Sequence, residues 1–176
     1  MSNGRNHTLL MGLAFLTLLI VSYFANIVFF ETLNVILQNQ LLSLLMIFVH
    51  NIIVVSLVLL GMTFYVNLVT FGFFKREKYA NVVLDHPKTF AIVFASTILL
   101  LSILRGTNLF LGSIIVEALP MIFLISAPIG IIEGYGIYLA IKKTLSRTIV
   151  AKDLVGIYGI FLVAAAVEVG FISALK

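Results

Sequence analysis

The stretch Thr107–Ile141, TNLFLGSIIVEALPMIFLISAPIGIIEGYGIYLAI, decides how this chain is threaded. Its 35 residues would make a helix of about 52 Å at 1.5 Å per residue. A bilayer's hydrocarbon core is about 30 Å thick, so one crossing is too short for the stretch. It also contains Pro120 and Pro128, either of which can kink or end a helix. It therefore crosses twice, or crosses once behind a lead-in. Charge separates these readings. With one crossing here and five in all, Arg5, Lys75, Arg76, Lys78, Lys88, Lys142, Lys143, Arg147 and Lys152 share the N-terminal side, and only Arg105 and Lys176 oppose them. A double crossing would move the Lys142–Lys152 loop across and erase that asymmetry. Basic residues concentrate on the cytoplasmic side of membrane proteins, which favours five crossings. The expectation is a broken or re-entrant segment over Thr107–Leu119 and a fourth span over 120–141, with the N-terminus cytoplasmic and the C-terminus outside.

The rest of the chain agrees that its solvent is lipid. Of 176 residues, 62% are hydrophobic and 10% charged, with a mean hydropathy of +1.21. A soluble domain is closer to half apolar and a quarter charged, and a chain this short cannot hide so much apolar surface from water. That excludes a soluble enzyme, a nucleic-acid-binding module and a disordered protein. The expected architecture is all-α: a single polytopic transmembrane helical bundle, residues 1–176, in the cell membrane. The other spans are expected at about 8–30, 51–74, 89–104 and 154–175. The first of these is too long for a signal-peptide core and reads as an uncleaved span. The apolar run before residue 51 reads as an interfacial helix over Val35–Val49 that turns into the membrane at His50-Asn51, because a polar pair in mid-bilayer is costly. The alternative is one tilted helix of about 50 Å.

Ionisable residues within spans are the informative ones. Glu133 lies about 13 Å in from the basic loop and Glu168 about 22 Å from the same face, while Glu117 sits in the lead-in near the outer end. Both deep acids are flanked by small residues: Gly130 and Gly134 bracket Glu133, and Ala166 and Gly170 bracket Glu168. Such spacing lets helix backbones approach closely. Two readings stand: the acids are hydrogen-bonded packing groups at a helix seam, or they form a proton- or cation-binding pair. His50 and Asn51 are expected to cap the second span.

With no cysteine there is no thiolate nucleophile or cysteine-held metal. The zinc-protease, phosphate-loop and serine-elbow motifs are also missing. No catalytic residue, metal site or cofactor is expected.

Three segments together resemble the stage II sporulation protein M family of integral membrane proteins. His50-Asn51-Ile52-Ile53-Val54-Val55-Ser56, followed by Gly61, is similar to that family's Asn-Asn-x-x-Val helix start. Pro128-Ile129-Gly130-Ile131-Ile132-Glu133 resembles its Pro-His-Gly-x-x-Glu segment, with Ile129 in place of the histidine. Ala164–Phe171, containing Glu168 and Gly170, resembles its final helix. The resemblance implies that Asn51, Gly130, Glu133 and Glu168 occupy the family's recurring polar and glycine positions. It also implies a non-enzymatic scaffold or anchor of a membrane complex. The alternative is a small channel or transporter subunit for protons, cations or a small solute. The expected partners are membrane lipid and a membrane or envelope protein, or further copies of the chain, and no nucleic acid.

Overall fold

The computed structural model describes residues 2–36, 38–70, 81–111 and 119–174. All regular structure among them is helical: α1 Ser2–Ile36, α2 Gln40–Thr70, α3 Val82–Asp85, α4 Pro87–Leu111, α5 Leu119–Leu145 and α6 Ala151–Ala174. Among the described residues three apolar stretches are long enough to cross a membrane, Thr8–Phe29 in α1, Gln40–Thr70 and Ala151–Gly170 in α6, and Pro87–Leu100 is a shorter apolar one.

The second helix departs from expectation. No elbow interrupts it at His50-Asn51, and α2 runs unbroken for 31 residues, about 46 Å. Its start is set at Asn39, whose Oδ1 accepts the backbone N–H groups of Leu41 (3.0 Å) and Leu42 (3.1 Å). That is the N-cap role expected of Asn51. Asn51 is tolerated in mid-helix because its amide is hydrogen-bonded to Glu133 of another helix, and His50 lays its ring on Phe29 of α1.

The lead-in also differs. Helix α4 continues through Thr107 to Leu111, so the first residues of the expected re-entrant segment are the end of that helix. Residues 112–118, including Glu117, lie outside the described residues. Pro120 falls in the first turn of α5, where its missing N–H would have no intrahelical partner anyway. Pro128 lies inside α5, which remains helical on both sides of it.

Helices α2 and α5 share the centre: α2 packs against α1, α5 and α6, and α5 packs against α2, α4 and α6. The apolar core combines Val55, Leu59 and Val66 of α2 with Ala91 and Ala95 of α4, Ile137, Ala140 and Ile141 of α5, and Ile157 and Phe161 of α6. Helix α1 is fastened from outside by a reciprocal device. The Phe15 ring lies on Gly61 and the Phe64 ring on Gly12, so each helix supplies a ring and a glycine to receive its partner's ring. The two rings stack with centroids 6.3 Å apart. Beyond that contact the first helix is largely uncovered, with Leu9, Leu10, Leu13, Tyr23 and Phe24 all more than half exposed. Hydroxyls within the helices are satisfied locally: Thr17, Thr63, Thr97 and Thr144 each donate to the carbonyl four residues earlier.

Glycines separate into two kinds. A Cβ on Gly136 would sit 2.8 Å from the Phe161 ring and 3.3 Å from Ile160, so the α5–α6 crossing depends on its absence. At Gly134, two residues away, a Cβ would meet nothing within 4 Å. Gly136→Ala is therefore expected to destabilise the bundle by about 1–3 kcal/mol through overpacking. Gly134→Ala should stabilise it by about 0.5–1 kcal/mol through the lower conformational entropy of the unfolded chain. Thermal unfolding in detergent micelles checks both, and equal shifts would mean the crossing is not at Gly136.

Candidate functional site

Along α2, Ser43, Ile47, Asn51, Val55 and Leu59 recur every four residues and form the helix's inward stripe, half-buried at Asn51 and buried at the other four. Asn51 is the polar member midway along it. Its Nδ2 donates to Glu133 Oε1 at 3.0 Å, tying α2 to α5. One residue back, and so rotated by about 100°, His50 points to the first helix. Its ring stacks on Phe29 with centroids 4.5 Å apart. Adjacent residues thus anchor one helix on two sides.

The same helix carries further polar contacts at each level. Gln40 Nε2 donates to Ser173 Oγ (3.1 Å) and Ser56 Oγ shares a hydrogen bond with Tyr158 Oη (3.0 Å), both on α6. Asn67 Nδ2 donates to the Met11 thioether on α1 (2.7 Å). Thr70 Oγ1 gives its proton to the Val66 carbonyl and accepts from Arg147 Nη2 (2.6 Å) in the turn between α5 and α6. These contacts also fix direction. Met11 pairs with Asn67 and Phe29 with His50, so α1 is antiparallel to α2. Asn51–Glu133 and Thr70–Arg147 make α5 parallel to it, and Gln40–Ser173 with Ser56–Tyr158 make α6 antiparallel.

The basic end is built around that turn. Arg147 adopts a positive φ of 55° and closes α5 with Arg147 N–H to Thr144 O and Thr148 N–H to Lys143 O. This left-handed cap is usually glycine. Lys143 Nζ pairs with Asp153 Oδ1 at 3.3 Å, and Asp153 Oδ2 accepts the Val150 N–H at the start of α6.

The residues singled out from sequence fall in different places. Asn51 and Glu133 meet. Glu168 is half-buried on α6 and is not without a partner. The register of α6 on α2 puts it about 8 Å along the bundle from the Asn51–Glu133 level. Gly130 is buried, and a Cβ there would lie 2.6 Å from the Leu99 side chain of α4. Gly170, like Gly134, has nothing within 4 Å of its Cβ position, and Ala166 is exposed. The neighbouring Ala164 and Ala165 are the buried members of that run. Sequence reasoning missed Asn39 and Asn67, and gave no partner to Ser56 or Gly136, which meet Tyr158 and Phe161. The four-residue recurrence from Ser43 to Leu59 was a signal that α2 continues through residue 51. Among the described residues no three His, Asp or Glu side chains converge to hold a metal ion.

Comparison adds no relative. No protein-family model matches the chain, and no curated protein or solved structure is significantly similar to it.

The Asn51–Glu133 contact is testable by a double-mutant cycle. Both side chains are half-buried, so losing this hydrogen bond through Asn51→Ala or Glu133→Ala should cost about 0.5–1.5 kcal/mol each. The double variant should cost less than the sum by about 0.6–1.7 kcal/mol, the range for polar contacts between membrane helices. Strict additivity in micelle unfolding would mean the two side chains do not interact.

Proposed function

We propose that the chain is a non-enzymatic, multi-pass membrane protein that scaffolds or anchors a membrane complex. The observation that carries this reading is the engagement of Glu133 by Asn51 across the α2–α5 contact. An intramembrane carboxylate held by a neighbouring amide serves to join helices. Similar contacts from α2 to α1 and α6 support the same role for the other polar groups. The resemblance to the stage II sporulation protein M family supports it independently, because two of the three similar segments contribute the two members of this contact.

On this reading α1, α2, α4, α5 and α6 cross in alternation. The start of α1, the end of α2 and the α5–α6 turn lie at one end of the bundle. Lys142, Lys143, Arg147 and Lys152 are gathered there, which supports a cytoplasmic assignment for that end. The uncovered apolar flank of α1 supplies surface for lipid, for a membrane partner or for a second copy.

Purification of the tagged chain from its native membrane in mild detergent tests the proposal. A stoichiometric membrane or envelope protein is expected, retained by Glu133→Gln, which keeps an acceptor for Asn51, and weakened by Glu133→Ala. Transport is the competing class. If vesicles carrying the chain pass protons or cations down a gradient, and Glu133→Gln abolishes that flux, the scaffold reading is overturned.

A further inference from the structure

Between α5 and α6, on the outer surface of the bundle, lies an apolar groove. Ile131, Ile132 and Tyr135 form one wall, and Gly156, Gly159 and Val163 the other. The two glycines are exposed, and a Cβ on either would meet nothing within 4 Å. They serve no helix crossing among the described residues. They leave a slot open along the surface.

The groove has a chemically distinct end. On α5, Ile131, Tyr135, Tyr138 and Lys142 follow one another at four- and three-residue steps along one face. The Tyr135 and Tyr138 rings stack at 6.4 Å, and Lys142 Nζ stands 5.5 Å from the centre of the Tyr138 ring. The wall thus grades from aliphatic through phenolic to ammonium. On α6, the exposed Lys152 stands one turn before Gly156, on the same face. Lys143, between them in sequence, is already paired with Asp153. Neither Lys142 nor Lys152 has a carboxylate partner among the described residues.

An apolar slot whose α5 wall runs on by helix register to Tyr138 and Lys142, and whose α6 wall runs on to Lys152, matches one ligand class. We propose that the α5–α6 groove binds an anionic phospholipid, its acyl chain along Gly156 and Gly159 and its phosphate between Lys142 and Lys152. Tyrosine at the junction suits the headgroup boundary, where its ring is apolar and its hydroxyl wet. Two cations facing one headgroup favour a net-negative lipid over a zwitterionic one. A partner helix would be served by the glycines but would need a carboxylate at one end to answer the lysines, which an anionic headgroup does without one. The proposal rests on reading α5 and α6 as membrane spans.

The test uses the full chain in phosphatidylcholine vesicles, with phosphatidylglycerol brominated on its acyl chains as the probe. The chain has six tyrosines and no tryptophan, so quenching of tyrosine emission reports bromine near the rings. Brominated phosphatidylglycerol should quench at lower mole fraction than brominated phosphatidylcholine. Lys142→Gln with Lys152→Gln should weaken that preference about 30-fold, at about fivefold per lysine. A Cβ at Gly159 meets nothing within 4 Å, so Gly159→Leu should fill the slot and remove the preferential quenching while leaving thermal unfolding intact. Equal quenching by the two lipids, or a preference unchanged in these variants, overturns the proposal. So does a change of oligomeric state in Gly159→Leu with lipid preference intact, which would make the groove a protein interface. A chain that fails to enter vesicles would overturn the membrane reading beneath it, and flotation separates that failure from the others.

Discussion

An amide and a carboxylate 3.0 Å apart, Asn51 and Glu133, define the constraint under which the whole bundle is arranged. Neither group can be left facing an apolar medium without a large desolvation cost. Their meeting fixes the azimuth of α2 and α5 together and the level at which they cross. Once that face of α2 is committed to α5, His50 is turned toward α1, and the stripe from Ser43 to Leu59 is directed inward. The apolar core then fills the remaining space with residues of ordinary shape.

Helix contacts in this molecule come in two kinds. Where a bulky ring meets a backbone, glycine makes room, as at Gly12, Gly61 and Gly136. Where a polar side chain is unavoidable, another helix answers it, as Tyr158 answers Ser56. The first kind sets distance and the second sets rotation and register. Apolar packing alone would tolerate sliding of one smooth helix along another, because lipid tails compete for the same surface.

Helical class is legible in composition, and Glu133 and Asn51 stand out in the sequence by the rarity of polar groups within apolar runs. Their pairing is not legible there. Sequence supplies a residue's depth along a helix only if the helix's start is known, and a second span starting at residue 51 begins eleven residues after the start of α2 at Gln40. Asn39 carried the missing information, since an asparagine followed by a long apolar helix is an N-cap signature. The aversion to a polar pair in mid-helix outweighed it. That aversion holds for a lone helix in lipid and fails for a helix surrounded by partners. Gly134 and Gly136 illustrate the same limit. Spacing identified a glycine-rich face, but which glycine lies under Phe161 depends on the crossing angle, which no single-helix pattern encodes.

The sequence separation of the central contact bears on how the protein is made. Asn51 and Glu133 are 82 residues apart. At a synthesis rate of 5–20 residues per second, Glu133 is added roughly 4–16 s after Asn51. For a chain that enters the membrane as it is made, α2 must wait through that interval with its amide unanswered, while the ring-and-glycine clasp with α1 is already available. The first two helices are thus a provisional hairpin, and the chain's assembly is completed from its C-terminal half. A ribosome pause between α2 and α5 would lengthen exposure of that amide, and the half-built hairpin is the species that membrane quality control would meet.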